Sequence, residues 1–166
     1  MENALVHEIE LYSPEAFKTL LDHEVNRSRR YKKSLTLIHV AIETDPVGSQ
    51  AQHSAEMFVI NVLDLHLRDT DIPSKKGNEF RVLMPETDIE GGRVACERLA
   101  HLLNVEPQMY DRVSFKLSAF IGMATLPGDR SISDVKLSQQ ASQALQHART
   151  NHLVDLVLFS EMKKQT

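Results

Sequence analysis

Residues 72–84 read IPSKKGNEFRVLM. Two β-prone runs, residues 72–75 and 79–84, flank the short segment Lys76-Gly77-Asn78. Glycine and asparagine tolerate the positive φ that tight hairpin turns require. The stretch therefore predicts a β-hairpin, and the segments on either side of it decide which fold contains that hairpin.

Helices and strands alternate outward from the hairpin. A helix is predicted from Ser13 to Tyr31, because a serine N-cap is followed by a first-turn proline. The other predicted elements are a strand over residues 35–42, a helix with its apolar pattern from Met57 to near Arg68, a helix over 88–103, a strand over 113–123 broken by Gly122, a helix over 133–149 and a strand over 154–159. This order predicts an α/β (α+β) fold of ferredoxin-like type, in which helices flank a central, mostly antiparallel, five-stranded sheet. One domain is expected over residues 13–160, after a lead-in of residues 1–12 and before a polar tail of residues 161–166.

The composition of the chain limits the classes of partner that it is expected to bind. A net charge of −4 argues against non-specific nucleic-acid binding, which usually needs a basic surface. No segment has the length and apolar character of a membrane span or a signal peptide, so a cytoplasmic protein without a membrane partner is expected. The single cysteine, Cys96, is predicted to be a buried, inert thiol, and His39 a packed core residue. No two of the eight histidines have the i, i+4 spacing of a helical zinc site.

Four landmarks accompany the hairpin in a fixed order. They are EVNRSRRY at residues 24–31, FRVLMPETD at 80–88, IGMA at 121–124, and Ala148-Arg149. With the hairpin loop at residues 76–80, KGNEF, they resemble the GGDEF domain of diguanylate cyclases over roughly residues 17–159. The resemblance implies a nucleotide-cyclase-like fold. It also implies a family activity in which two subunits, each holding one GTP on divalent metal ions, meet and form cyclic di-GMP.

The chain departs from the family at the catalytic positions. The metal ligands of the family correspond to Ala41 and Asn78 here, and neither a methyl group nor a neutral amide replaces a carboxylate on magnesium. Lys76 stands where the family's first signature glycine lets the backbone approach the nucleotide. The family's guanine-reading asparagine and aspartate have no counterpart, and His152-Leu153-Val154 replaces a phosphate-binding Gly-Arg-Asn. The resemblance therefore predicts a chain without cyclase activity, catalytic residues, metal or cofactor.

Glu43 and Glu79 are the only candidates for a substitute metal site near those positions. Both would project from adjacent strands. Without the guanine contacts they would position a triphosphate poorly, and rate depends on positioning.

A second family site is retained. Arg68 and Asp71 form an Arg-x-x-Asp just before the hairpin, and Arg98 falls on the helix after it. In GGDEF domains such residues form the inhibitory site for cyclic di-GMP, which is often bound as a stacked pair bridging two domains. A guanidinium fork suits guanine O6 and N7 or phosphate oxygens, and a carboxylate suits the guanine N1 and N2 hydrogens. The spacing from Asp71 to Lys76 is one residue shorter than is usual in the family.

Other interpretations of the charged residues stay open. Arg68 and Asp71 would equally cap a helix end and its turn, with Arg98 an exposed helix residue. The basic residues between Arg27 and Lys33 are interpreted as a solvated helix C-terminus rather than a phosphate site.

Three functions follow from these interpretations. The first is a cyclic di-GMP effector that signals to an unidentified protein partner. The second is a nucleotide-independent interaction scaffold, with a homodimer through the hairpin face among its forms. The third is a residual GTP-binding or diguanylate cyclase enzyme.

Overall fold

The computed structural model describes residues 10–104, 107–154 and 156–162. Its helices are α1 (Pro14–Tyr31), α2 (Ser49–His66), α3 (Ile89–Leu103), α4 (Asp134–Thr150) and α5 (Phe159–Met162). Its strands are β1 (Leu35–Asp45), β2 (Ile72–Lys76), β3 (Glu79–Pro85), β4 (Gln108–Tyr110), β5 (Val113–Leu126) and β6 (Leu156–Leu158). The predicted alternation of helices and strands is confirmed, with one additional strand, β4, and one additional short helix, α5.

The sheet is mostly antiparallel, as predicted. Its strands lie in the order β2-β3-β1-β5-β4, and β6 pairs in parallel with β5. β1 is central, since it pairs along most of its length with both β3 and β5. The edge strand β2 also receives Tyr12, which forms a parallel bridge to Ser74.

Helices cover both faces of the sheet because the central strands are apolar on both sides. α1 and α4 pack on one face, where Phe17 and Ala141 share a cluster with Leu37. α2 and α3 pack on the other face, where Val59 and Leu99 share a cluster with Ile38. Side chains of successive strand residues alternate between these two faces.

The predicted hairpin is present and slightly longer than expected. Lys76 belongs to β2 and pairs with Glu79, which leaves a two-residue loop. Gly77 has a φ of 61°, as the first central residue of a type II′ turn requires. The positive φ that the sequence pattern predicted therefore lies at the glycine.

A second hairpin, between β4 and β5, was not predicted. Tyr110 pairs with Val113 across Asp111 and Arg112, whose φ angles are 48° and 64°. Two consecutive positive φ angles are typical of a type I′ turn, which asparagine and glycine usually form. An aspartate followed by an arginine gives no such signal, so the sequence pattern missed this turn.

The predicted break of β5 at Gly122 is wrong. β5 continues to Leu126, and Gly122 pairs with His39 within it. A Cβ at residue 122 would lie 2.2 Å from the backbone nitrogen of Leu145. Glycine is required there for the close approach of α4, not for an interruption of the strand.

Several boundaries also differ from the prediction. β1 continues to Asp45, and α2 extends from Ser49 to His66 rather than ending near Arg68. The last strand is limited to Leu156–Leu158, because Phe159 begins α5. Within the predicted polar tail, Glu161 lies in α5 and accepts a 2.8 Å hydrogen bond from Arg93. Residues 1–9 and 163–166 of the predicted lead-in and tail lie outside the described residues.

Candidate functional site

Arg68, Asp71 and Arg98 line one open cavity of about 480 Å³. The cavity lies where the C-terminal ends of α1 and α2 meet the end of β3 and the first turns of α3. Its remaining lining residues are Lys32, Lys33, Ser34, His66, Met84, Glu86, Thr87, Asp88, Gly91, Val94 and Ala95. The structure thus brings together the three residues that the sequence identified as a cyclic di-GMP site.

Asp71 is the most buried charged group of this cavity. Its side chain is 1% exposed, whereas that of Arg68 is 54% exposed. Asp71 Oδ2 accepts a 2.8 Å hydrogen bond from the backbone N–H of Arg68, and Asp71 Oδ1 accepts one of 2.9 Å from Arg68 Nη2. Both carboxylate oxygens are therefore engaged by one residue. The pair closes the turn after α2, as the capping interpretation predicts.

The guanidinium of Arg68 is held from a second side. Arg68 Nη2 donates to Thr87 Oγ1 at 2.6 Å and lies 3.4 Å from the carbonyl oxygen of Pro85. Thr87 is itself buried, and its hydroxyl donates to the same Pro85 carbonyl at 2.9 Å. Arg68 therefore has a fixed orientation while half of its side chain stays accessible to a ligand.

Lys32 and Lys33 contribute charge that sequence reasoning assigned to a solvated helix end. Lys32 is the left-handed C-cap of α1, with a φ of 53°. This cap turns the chain toward β1 and places both lysines on the cavity wall. The basic run itself was visible in the sequence, but its proximity to Arg68 depends on how α1 and α2 pack on the sheet.

Arg98 approaches the cavity from α3, whose N-cap is Asp88. Asp88 Oδ1 accepts a 2.8 Å hydrogen bond from the backbone N–H of Gly91. Arg98 itself forms no ion pair with any residue in the described part of the chain. Its guanidinium is therefore available to an anionic ligand.

Near the other end of β3 lie the two positions that the resemblance matches to the metal ligands of GGDEF domains, Ala41 on β1 and Asn78 in the hairpin turn. Ala41 pairs with Glu79, is 3% exposed, and packs in an apolar cluster with Phe120 and Ala144. Asn78 lies exposed in the hairpin turn. Glu79 Oε1 is 3.8 Å from Arg149 Nη1, so a guanidinium faces this carboxylate.

These residues do not fit the divalent metals that the fold family uses. Magnesium prefers several hard oxygen ligands, among them carboxylates. Across residues 10–104, 107–154 and 156–162, no group of three or more histidine, cysteine, aspartate or glutamate side chains is arranged to hold a metal ion. The proposed substitute pair, Glu43 and Glu79, thus has no third ligand among the described residues.

The predictions for His39 and Cys96 are confirmed. Both are buried, at 2% and 0% exposure. Burial, together with the positive charge of Arg81 on the paired strand, lowers the pKa of His39 to about 3. Burial raises the pKa of the Cys96 thiol, which leaves it in the unreactive protonated form.

Comparisons with known proteins address the fold. No protein-family profile matches the sequence, and no curated protein matches it significantly. Among solved structures, the GGDEF domain of DgcB from Caulobacter crescentus, determined with c-di-GMP, is similar at a TM-score of 0.78 and 15% identity, covering 90% of this chain and 89% of that chain. The active GGEEF domain of a diguanylate cyclase from Vibrio cholerae gives 0.77 and 17%, covering 90% and 98%.

A third solved structure has an additional partner. Diguanylate cyclase SiaD from Pseudomonas aeruginosa, in complex with its activator SiaC, is similar at a TM-score of 0.79 and 18% identity, and the match covers 89% of this chain and 58% of that chain. None of the described helices is both long and apolar enough to cross a bilayer. The order of strands, the hairpin and these matches over nine-tenths of the chain lead to one conclusion: the protein has the fold of a GGDEF domain.

Proposed function

We propose that the chain is a cyclic di-GMP-binding module that does not synthesise the nucleotide. The observation that carries this proposal is the meeting of Arg68, Asp71 and Arg98 on one cavity, although they come from two separate segments, the turn after α2 and helix α3. At about 480 Å³, the cavity lies within the size range of small-molecule sites. The DgcB domain, which has this fold, was determined in complex with c-di-GMP.

The arrangement of charges suits a ligand with guanine bases and two phosphates. Arg68 presents a fixed, half-exposed guanidinium fork, which can pair with guanine O6 and N7 or with phosphate oxygens. Arg98, Lys32 and Lys33 add positive charge on the same wall. Because Asp71 already binds Arg68 through both oxygens, its role is to orient Arg68, and its contact with guanine would need that pair to open.

The hairpin end supports the non-catalytic part of the proposal. A cyclase positions triphosphate oxygens on metal ions, and positioning accounts for most of the rate of phosphoryl transfer. Ala41 is an apolar core residue here, and Glu79 faces Arg149. Synthesis of cyclic di-GMP is therefore not expected.

The chain would transmit the binding of cyclic di-GMP to a protein partner. SiaD, of similar fold, was determined with a protein activator. We propose for this chain a protein partner whose binding depends on cyclic di-GMP. A stacked pair of cyclic di-GMP molecules bridging two copies is the homodimeric form of the proposal.

The closed Arg68–Asp71 pair favours one alternative. A carboxylate that accepts from its own turn and from a neighbouring guanidinium needs no ligand to be satisfied. In that case the chain is a nucleotide-independent scaffold, and the cavity is a by-product of how the turn after α2 is capped.

Isothermal titration of the full chain separates these functions. Cyclic di-GMP and GTP with magnesium are titrated into the wild type and into Arg68→Ala, Arg98→Ala and Arg149→Ala. We expect micromolar binding of cyclic di-GMP that is weakened about tenfold or more by Arg68→Ala and by Arg98→Ala, as expected for loss of a charge-assisted contact.

Arg149→Ala is the matched control, because Arg149 is an arginine at the other end of β3. It should leave binding of cyclic di-GMP unchanged. If neither nucleotide bound measurably, the result would favour the scaffold alternative. Formation of cyclic di-GMP from GTP would overturn the non-catalytic proposal.

A further inference from the structure

A second groove, of about 470 Å³, lies on the opposite face of the sheet from the Arg68 cavity. It lies between the N-terminal turns of α1 and α4 and the strands of the hairpin. Three cationic side chains line it: Lys18, Lys76 and Arg81. Its apolar wall consists of Pro14, Phe17, Leu21 and Val135. The groove therefore combines positive charge with an apolar surface.

Arg81 is the central residue of this groove. It lies on β3 between His39 of β1 and Ser74 of β2, both of which are buried. Its Nε is buried and has no hydrogen-bond partner. Within the described residues, the side chain of Arg81 forms neither an ion pair nor a hydrogen bond.

An arginine on an inner strand of a sheet normally has a counter-charge, because a desolvated charge is costly without one. A buried polar group without a partner in a native structure needs an explanation, and a bound water or ion is one such explanation. The neighbouring side chains do not remove this requirement. His39 is kept neutral by burial, and the Ser74 hydroxyl donates to the carbonyl of Tyr12 at 2.7 Å.

The two acidic residues that line the groove do not form an ion pair with Arg81 either. Glu15 and Asp134 lie in the first turns of α1 and α4, where acidic side chains complement the helix dipole. Neither forms an ion pair with a cation of the groove. The groove thus keeps unpaired positive charge beside an apolar wall.

We propose that this groove binds a small amphipathic anion, whose carboxylate or phosphate group contacts Arg81 and Lys76 and whose apolar part lies against Phe17 and Leu21. In this proposal Lys76 helps to bind the anionic group. The residue that replaces the first glycine of the signature belongs to β2, and it contributes a cation on the face of the sheet that carries Arg81. The inference does not depend on the proposed function, because the Arg68 cavity lies on the other face.

The test uses the full chain and NMR amide shifts during titration with hexanoate, hexyl phosphate and neutral hexanol. We expect hexanoate or hexyl phosphate to shift amides of residues 14–21, 76–81 and 134–139, with saturation. Hexanol should produce smaller shifts without saturation. The anion that binds more tightly identifies the head group. Arg81→Met, which keeps the length but removes the charge, should weaken anion binding about tenfold.

A matched variant outside both cavities is Arg112→Met, in the exposed turn between β4 and β5, which should bind the anion as the wild type does. Arg81→Met should also unfold at the same or a higher temperature than the wild type without ligand, since it removes an unpaired, partly buried charge. A lower unfolding temperature would indicate that Arg81 has a structural role and would overturn the proposal. Equal anion binding by wild type and Arg81→Met, or equal shifts with hexanol and hexanoate, would overturn it too.

Binding of cyclic di-GMP gives an independent readout. Arg81→Met should bind cyclic di-GMP as the wild type does, whatever its affinity for the small anion. If the wild type fails to bind cyclic di-GMP but binds the anion, the proposed function fails and the groove remains a site.

Discussion

The two ends of strand β3, separated by roughly 20 Å of extended chain, differ in how their polar groups are used. At the hairpin end, Glu79 has only the 3.8 Å contact to Arg149, and Ala41 beside it is packed among apolar residues. At the other end, Pro85 and Thr87 accept from Arg68, and Asp71 is fully engaged. The hairpin end is a simple turn, whereas the Arg68 end is an organised hydrogen-bond network.

The comparison indicates which end of β3 holds its polar groups in a fixed arrangement. A network that fixes a half-exposed guanidinium restricts it to one orientation, and preorganised groups bind with less loss of conformational entropy. At the hairpin end, the side chain of Glu79 is not held in this way.

The largest effect is expected at His39, in the middle of the sheet. Its pKa is about 3 in the folded chain against 6.5 when unperturbed, so the unfolded chain binds more protons between these values. Stability from the neutral histidine is therefore complete above about pH 6.5 and is lost as the pH falls toward 3. Between pH 7 and pH 4 we expect a loss of about 3 kcal/mol from this residue.

Urea unfolding of the wild type and of His39→Leu at several pH values measures this loss. Carboxylates also titrate in this range, so the quantity of interest is the difference between the two proteins. The wild type should lose stability faster on acidification. Parallel pH profiles would show that His39 is solvated or paired in the folded state.

Asp71→Ala should have the next largest effect. The substitution removes an almost fully buried carboxylate and leaves the backbone N–H of Arg68 without its 2.8 Å partner. A loss of about 2 kcal/mol in the free energy of unfolding is expected. Chemical denaturation checks this value, with Asp69→Ala as the exposed neighbour that should change stability by less than about 0.5 kcal/mol. Equal effects would mean that the Arg68 end is no more organised than an ordinary turn.

Ala41→Asp combined with Asn78→Asp reverses the comparison by restoring acidic residues at the hairpin end. Residue 41 is 3% exposed in an apolar cluster, so an aspartate there should cost about 1 to 2 kcal/mol. Residue 78 lies in an exposed turn, so Asn78→Asp alone should change the free energy of unfolding very little. We expect no cyclic di-GMP from GTP and magnesium with the double variant, because the guanine contacts are still missing. Product detected by chromatography would show that these two positions alone account for inactivity.

The sequence predicted the hairpin and the sheet because their signals are local. The Gly77 turn and the apolar strand runs are set by neighbouring residues. β4 was missed because its turn uses Asp111 and Arg112, which give no turn signal. The misinterpretation of Gly122 has another cause. A glycine is required there because the backbone of Leu145 packs against it, and Leu145 is distant in the sequence.

The candidate site was predicted to a similar extent. Arg68, Asp71 and Arg98 were found from the family resemblance, and the structure brings them together. The roles of Thr87 and of Lys32 and Lys33 were missed, because they depend on how α1 and the end of β3 meet the turn after α2. Neither the unpaired Arg81 nor its groove can be inferred from spacing, since an arginine in a strand gives no signal of which face it occupies or what faces it.

The smallest effect is expected for Glu79→Gln at the hairpin end. Its contact with Arg149 is 3.8 Å long, and both side chains are about one-third exposed, so solvent screens the pair. We expect a change of at most about 0.5 kcal/mol in the free energy of unfolding, and unchanged binding of cyclic di-GMP. Thr87→Val is the comparison at the other end, where the loss of the 2.6 Å contact to Arg68 should weaken nucleotide binding. If Glu79→Gln weakened binding more than Thr87→Val, the nucleotide would lie at the hairpin, and the assignment of the two ends of β3 would be reversed.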